Sequence, residues 1–298
     1  MHMKYIERLA RWFRTTHAAA RGTPGFQEVV ASLQQEQTWI AHCSLVMSIL
    51  ESNDYFKHEL CLHRYGYKVY SQNEEDGLLR RIFENVGYTN RYFVEFGSGE
   101  GFENNSIYLL LNGWTGVWIE GSPECASIAT RYFHRFVENK RLRILNEFVS
   151  PQNIEKLFQD AGVPDELDLL SIDIDGNDYW VWQAVSNFRP RVVVIEYNAG
   201  LGPIAEWVMT FNPNHRWKGS RNFGASLKSL ENLGKMKAYM LVGCNLTGSN
   251  AFFVRSDLDM NKFLSPFDSE THYQPPRYYL RFFPGHPIDP GEVESFPV

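Results

Sequence analysis

Asp173, Asp175 and Asp178 lie in one short stretch, IDIDGND, and Glu196 and Asn198 close another, VVVIEYN. Carboxylates crowded in this way repel one another unless they share a proton or a cation. Oxygen ligands from two adjacent strand ends suit Mg²⁺ or a similar hard divalent ion, so Asp173, Glu196 and Asn198 are candidate metal ligands. The plainer reading is hydrogen bonding to loops and substrate without metal. His215 is a second candidate for proton chemistry, because an imidazole exchanges protons near neutral pH; a lone histidine in a loop is otherwise simply solvated.

A third centre is the bend Gly97-Ser98-Gly99-Glu100-Gly101, which follows the aromatic and β-branched run YFVEF. Glycines let the backbone turn sharply and approach a ligand closely. Downstream, GVWI ends in Glu120. A carboxylate at the tip of a second strand, beside a glycine turn after the first, is placed to hold a ribose through its two hydroxyls. The dinucleotide fingerprint needs a small residue where this chain has Phe102, and Glu95, Glu100 and Glu103 surround the bend. A pyrophosphate is poorly served there. A phosphate-free ligand with a positive centre is better served, and S-adenosylmethionine, a sulfonium with an ammonium group, fits that description. The plainer reading is glycines serving only the backbone.

These centres require strands ending at one edge. Residues 92–96, 116–119, 142–149, 169–174 and 191–197 read as strands, and helical stretches alternate with them, so the fold class is α/β with a doubly wound sheet. Asn104, Asn105 and Ser106 are expected to cap a helix running to about residue 111, which Gly113 ends. Residues 123–136 and 153–161 are expected helices. Residues after the third strand of such a sheet commonly lie against a nucleobase, which brings Asn146, Phe148 and Val149 into contention. In YSQNEEDGLLRRIFENVG, Ser71 and Glu74 are expected to form a capping box. Gln72, Glu75 and Asp76 are then close enough to the bend to touch a cofactor, beside the plainer reading of a capped helix.

A chain of 298 residues, 44% hydrophobic, can bury one α/β domain with an extension. A net charge of -6 gives no reason to invoke nucleic acid. No run approaches the roughly 18 to 20 apolar residues of a membrane span. Cys43, Cys61, Cys125 and Cys244 form no CxxC pair and read as reduced thiols of a cytoplasmic protein. Residues 4–21 form a basic amphipathic pattern, read either as a surface helix packed on its own domain or as a membrane-surface or presequence element. After Pro24, Phe26, Leu33, Ile40 and Met47 recur every seven residues with Val29, Cys43 and Leu50 on partner positions. That seam is either a homodimer interface or an internal contact. Residues 1–70 are thus a helical extension, 71–255 the catalytic domain and 256–298 a tail rich in Pro and aromatics that wraps the surface or lines an acceptor pocket.

Residues 199–223 are too long for a plain connection and read as a lid. Arg216, Lys218 and Arg221 there could bind an anionic group on an acceptor, and Trp207, Phe211 and Trp217 could stack on a ring.

In order, SQNEED, FVEFGSGEGFENNS, WTGVWIEG, LLSIDIDGNDYW, VVVIEYN and GASLKSLENLGKMKAYMLVGC with NAFFVR resemble the FkbM-type branch of class I S-adenosylmethionine-dependent methyltransferases, over roughly residues 70–255. The resemblance implies a Rossmann-like, seven-stranded sheet whose last two strands, about 238–244 and 251–255, form an antiparallel hairpin. It implies cofactor contacts from the bend and its surroundings: Glu95, Gly97, Ser98, Gly99 and Asn105 at the methionine end, Glu120, Gly121 and Ser122 near the ribose, Phe148 or Val149 at the adenine, and Asp173 by the sulfonium or a metal. Metal-dependent members of the wider superfamily take an acid after the fourth strand and an acid with an Asn after the fifth; here Tyr197 separates Glu196 from Asn198. The expected reaction is methylation of a hydroxyl on a small molecule, glycan or natural-product intermediate, with His215 and Asp173 as catalytic groups. An NAD-linked oxidoreductase and a non-catalytic nucleotide-binding module are the rival classes.

Overall fold

The computed structural model describes residues 24–281 apart from Lys218 and Arg221. The basic stretch 4–21, the two lid cations Lys218 and Arg221, and residues 282–298 of the tail therefore lie outside the described residues. The chain divides at Ser52/Asn53 into two units. The first contains α1 (Pro24–Ser52), a single helix on which Ile40, Cys43 and Met47 are exposed.

The second unit begins with the short α2 (Asp54–Lys57) and carries the sheet. Its strands are β1 (Tyr92–Phe96), β2 (Thr115–Glu120), β3 (Leu142–Asn146), β4 (Leu169–Ile172), β5 (Val192–Glu196), β6 (Tyr239–Cys244) and β7 (Asn250–Arg255). They lie in the order β3-β2-β1-β4-β5-β7-β6. The first five are mutually parallel, whereas β7 runs antiparallel to both β5 and β6. This is a doubly wound, Rossmann-like sheet of seven strands with an antiparallel C-terminal pair. The order reverses between β1 and β4, so a crevice opens where these two strands end.

Both faces of the sheet are covered, which is why its strands read as nearly continuous apolar runs rather than alternating ones. One face buries Val94, Phe96, Val117, Ile119, Leu170, Ile172, Val193 and Ile195 against α7 (Ile154–Ala161) and α8 (Asp178–Ala184), with Phe158 and Trp182 filling the layer. The other buries Phe93, Trp118, Val192, Val194, Phe252 and Val254 against α3 (Glu75–Val86), through Leu78, Leu79, Ile82 and Phe83. Burial of each such side chain contributes on the order of 1.5 to 3 kcal/mol.

Several element ends differ from the expected ones for identifiable reasons. The third strand stops at Asn146 instead of running to residue 149, because its partner β2 ends at Glu120, directly opposite Asn146. The helix expected over 123–136 breaks into α5 (Pro123–Tyr132) and α6 (His134–Glu138). The capping box from Ser71 and Glu74 does not form. α3 starts at Glu75, and Ser71 Oγ instead accepts from Asp76 N at 3.2 Å while Glu74 accepts from Leu246 N in the β6–β7 turn. Ser106 sits at the N-cap of α4 (Ile107–Leu111) without a side-chain cap bond. Glu95 of β1 serves that helix start instead, accepting from Asn105 N at 2.9 Å and Ser106 N at 3.1 Å.

The described part of the tail is strapped to the domain. Tyr197 Oη donates to Gln274 O at 2.7 Å, Tyr273 Oη to Ala199 O at 2.7 Å, and Ser269 Oγ to Pro203 O at 2.7 Å. The tail therefore braces the base of the long segment after β5. All four cysteines are free; Cys61 and Cys244 are buried, Cys43 is exposed and Cys125 lies between. Among the described residues, no helix is long and apolar enough to cross a membrane.

Candidate functional site

The bend after β1 is held in place by its backbone. Gly97 (φ 65°), Gly99 (φ 54°) and Gly101 (φ 88°) all adopt the left-handed region that favours glycine. Gly97 N donates to Ile119 O at 3.0 Å. At Gly97 an added Cβ would sit 1.7 Å from Asp173 O, so the turn after β1 passes against the chain leaving β4 in a way only glycine permits. Gly99, by contrast, faces open space.

Glu120 at the tip of β2 ties the bend to its neighbour. One carboxylate oxygen accepts from Gly99 N at 2.7 Å and the other from Ser122 N at 2.7 Å. Each oxygen keeps a further lone pair for a ligand hydroxyl. Ser122 also caps α5, its Oγ accepting from Cys125 N, so this candidate beside Glu120 has a structural duty.

Beneath the bend, Glu95 is buried among polar partners. Besides the two amides of the α4 start, it accepts from Ser106 Oγ and, at 3.3 Å, from Ser171 Oγ. Burial raises its carboxyl above the ordinary range, and the hydrogen bonds from Ser106, Asn105 and Ser171 oppose that rise. Asn105 shares the arrangement, its Nδ2 donating to Ser171 Oγ at 3.0 Å.

Over this frame lies a cavity of about 540 Å³ lined by the whole bend and by Gln72, Glu95, Phe102, Glu103, Asn104, Asn105, Asp173 and Asn250. Among the described residues, every charged residue in its wall (Glu95, Glu100, Glu103 and Asp173) is acidic, and no lysine, arginine or histidine lines it. Three buried residues of the wall present polar atoms without a hydrogen-bond partner: Ser98 Oγ, Asn104 Nδ2 and Asn250 Oδ1. Such groups are costly unless a ligand or water satisfies them. Phe102 packs edge-on against Tyr132, with ring centroids 4.9 Å apart, and thereby closes one side.

Of Gln72, Glu75 and Asp76, the cavity receives only Gln72. Glu75 and Asp76 turn into the protein instead. Asp76 accepts from the amides of Val69, Tyr70 and Ser71, and Glu75 from Asn73, Asn245 and Asn250.

Phe148 is 55% exposed, and its ring lies 3.1 to 3.2 Å from where a Cβ on Gly121 would be. The Arg216 guanidinium stands 5.3 Å from the ring centroid, a cation–π distance. Val149 instead packs half-buried against the sheet core. Phe148 thus offers a face to a flat ligand beside the β2 tip.

The acidic stretch after β4 curls on itself. Asp178 is 1% exposed and accepts from Ile174 N and Gly176 N, each at 2.8 Å. Its carboxyl is pushed up to about 6 by burial, against the pull of those amides and with the added repulsion of Asp175. Asp175 itself takes a left-handed φ of 58°. Asp173, Asp178 and Glu196 each bring one oxygen to within 4.8 Å of the others. Asp178 was not among the candidate ligands from sequence. Asn198 was, but its Oδ1 accepts from Gly200 N at 3.2 Å and its Nδ2 donates to Phe223 O at 3.1 Å, which makes it the cap of the turn leading into the long segment.

That segment folds back over the acids. Val208 bridges antiparallel to Ala225, and Asn177 grips the segment twice, donating from Nδ2 to Asn212 O at 2.8 Å and accepting from Asn212 N at 3.2 Å. Trp180 Nε1 donates to Met209 O at 2.8 Å. His215 is delivered to the acidic loop, its Nε2 lying 3.0 Å from Asp175 O and its ring against Gly176. A carbonyl oxygen only accepts, so Nε2 carries the proton and Nδ1 of the neutral ring is the basic nitrogen.

The C-terminal ends of β1, β2 and β4 therefore bring together the bend, Glu120 and Asp173, while β5 and the returning segment add Glu196 and His215. Sequence reasoning missed Asn104 as a contact, and missed Asn250 entirely. β7 is antiparallel, so its first residue lies opposite Glu196 at the ligand edge of the sheet.

The chain matches no protein-family model and no curated protein. Among solved structures it is similar to the magnesium protoporphyrin IX methyltransferase of Synechocystis PCC 6803 with bound SAM, with 9% identity over 60% of this chain and 76% of that one and a TM-score of 0.39. A S-adenosylmethionine-dependent methyltransferase from Clostridium acetobutylicum ATCC 824 aligns at 12% identity over 60% of this chain and 88% of that one, TM-score 0.37. Cofactor-bound Rv0187 from MTB aligns at 18% identity over 60% and 77%, TM-score 0.41.

Proposed function

We propose that this chain is a methyltransferase that uses S-adenosylmethionine and methylates an oxygen nucleophile. The observation that carries the reading is the charge of the cavity: among the described residues its walls hold four acidic side chains and no cationic one. A dinucleotide would bring two phosphates into a field that holds one nearby ion pair, Lys68 Nζ at 3.7 Å from Glu103, and Lys68 is already engaged by that carboxylate. A sulfonium and an ammonium would instead be attracted, and the unengaged Ser98, Asn104 and Asn250 atoms match a ligand with both donors and acceptors.

In this reading Glu120 accepts the two ribose hydroxyls on the lone pairs its backbone bonds leave, and Phe148 covers the adenine with Val149 beneath the same loop. Gln72, Ser98 and Asn105 lie around the methionine end with Gly97 and Gly99. S-adenosylmethionine supplies the electrophilic methyl group. The protein aligns acceptor and methyl group and excludes water, and such positioning is worth on the order of several kcal/mol. His215, oriented by its Nε2 bond to Asp175 O, takes the acceptor's proton on Nδ1. Asp173, at the cavity wall beside Gly97, carries negative charge toward the sulfonium.

A metal-assisted form of the same reaction is favoured by one observation, the three carboxylate oxygens of Asp173, Asp178 and Glu196 within 4.8 Å. Such a set suits a hard divalent ion such as Mg²⁺, which would lower the acceptor's pKa as a Lewis acid. Acceptors that fit are hydroxyls of small molecules, sugars or natural-product intermediates.

Calorimetry with S-adenosylmethionine tests the reading. Two hydrogen bonds to a charged carboxylate are worth about 1.5 to 3 kcal/mol each, so Glu120→Ala should weaken binding by about 100-fold or more. A wild-type chain that ignores S-adenosylmethionine and binds NAD overturns the proposal. Adding EDTA separates the two forms: turnover lost with binding retained supports the metal, and unchanged turnover removes the metal alone.

A further inference from the structure

We infer that Asn250, aimed by the buried carboxylate of Glu75, is the residue that recognises the α-amino group of the cofactor. This rests on the proposed use of S-adenosylmethionine and adds a specificity residue from a strand whose chain direction differs from the rest of the site.

Glu75 is 0% exposed, and it joins the segment leading into α3 to both ends of the β6–β7 turn. Its Oε1 accepts from Asn73 Nδ2 at 2.9 Å, Asn245 Nδ2 at 2.7 Å and Asn250 Nδ2 at 2.9 Å, and its Oε2 accepts from Asn73 N at 2.7 Å. A carboxylate only accepts, so it captures the NH₂ end of the Asn250 amide and turns the carbonyl end away from itself. Asn250 Oδ1 is the atom left without a partner, in a residue only 5% exposed that lines the cavity. The backbone cannot pivot to bury it elsewhere: Asn250 N is held by Asn245 Oδ1 at 2.9 Å and Asn250 O accepts from Asn245 N at 2.9 Å.

A fixed acceptor in an acidic wall selects a donor, and a cationic one most strongly. The adenine and ribose ends have their own candidates beside the β2 tip, whereas Asn250 lies on the β5 and β7 side of the cavity, at the register position of Glu196. The ammonium of the amino-acid moiety is the ligand group with the matching chemistry. Asn104 Nδ2, the unpartnered donor of the same wall, has the complementary chemistry for the ligand's carboxylate. Glu75 touches no ligand and acts as a positioning residue.

The experiment compares S-adenosylhomocysteine with its desamino analogue, which keeps the adenosine, thioether and carboxylate and lacks only the amino group. Wild type is expected to prefer the amino ligand by at least tenfold. Asn250→Ala should remove most of that preference while changing the affinity of the desamino analogue by less than about threefold. Glu75→Gln should do the same, because a neutral amide at that position lets the Asn250 amide turn over. Equal binding of both ligands by wild type, or equal weakening of both by Asn250→Ala, overturns the inference and leaves the cofactor reading intact. Failure of wild type to bind S-adenosylhomocysteine at all overturns the cofactor reading, and this inference with it. Equal binding of the two ligands by wild type overturns the inference even if a variant fails to fold, and Asn250→Ser, which keeps a small polar side chain without the carbonyl, repeats the comparison if Asn250→Ala does not fold.

Discussion

Gly97→Ala is expected to unfold the proposed cofactor site and cost about 2 to 5 kcal/mol of stability, whereas Gly99→Ala, two residues away, should cost only about 1 to 2 kcal/mol. Both glycines have positive φ, so each substitution carries the left-handed penalty of roughly 1 to 2 kcal/mol. The difference lies in what the new methyl group meets. At Gly97 it would lie 1.7 Å from Asp173 O and 2.9 Å from Asp173 C, which are backbone atoms that cannot swing aside. Relief requires parting the tips of β1 and β4, and such overpacking adds about 1 to 3 kcal/mol. At Gly99 nothing lies within 4 Å, so the fold survives. That methyl group still stands in the cavity wall, and S-adenosylmethionine affinity should fall about tenfold or more. Urea unfolding and calorimetry on the two variants check both halves. A Gly97→Ala chain as stable as wild type would show that the two strand tips are not in contact.

Glycine spacing was legible from sequence because it reports a local need. The bend, the Glu120 tip and the alternation of helix and strand are short-range patterns, and the observed strands fall where those patterns lie. Properties set by contacts across the sheet were not legible in the same way. Nothing near Glu95 indicates that it holds the start of a helix ten or more residues further on, and without that knowledge it looks available to a ligand. Nothing near Ser71 shows that Glu74 will be drawn off by the β6–β7 turn, since Leu246 is distant in sequence. Asn250 is not legible in the sequence because it opens its strand instead of following one. The rule that ligands gather at carboxyl ends holds for parallel strands, and a strand inserted in the opposite sense presents its first residue there instead. Asp178 was visible as an acid but not as a folded-back one, because its contacts with Ile174 N and Gly176 N depend on the curl that Asp175 makes at φ 58°.

Acid should weaken the second unit through two buried imidazoles that lie outside the proposed site. His63 is 5% exposed and His272 1% exposed. Burial lowers the pKa of His63 from 6.5 to about 3, helped by repulsion from His272 and Arg277. Burial likewise lowers His272 to about 4, against the favourable influence of Asp268 and the Leu264 and Pro266 carbonyls. Both rings are therefore neutral in the fold, and Tyr55 Oη lies 3.2 Å from His272 Nδ1. In the unfolded chain the same rings bind protons once the pH falls below about 6.5. The unfolded state then holds more protons than the folded one, so stability is full above pH 6.5 and declines as the pH drops toward 4 and 3. Each ring contributes a slope of roughly 1.4 kcal/mol per pH unit in that window, or about 2 to 3 kcal/mol by pH 4.5. Glu95, Asp76 and Asp178, whose carboxyls are raised by burial, act in the opposite direction and mask part of the loss. Comparison with a variant isolates the histidine contribution: His272→Gln should be less stable than wild type at pH 7.5, and the gap should narrow by about 2 kcal/mol at pH 4.5. Urea unfolding at both values measures it, and a gap independent of pH would mean that His272 is not held neutral by the fold.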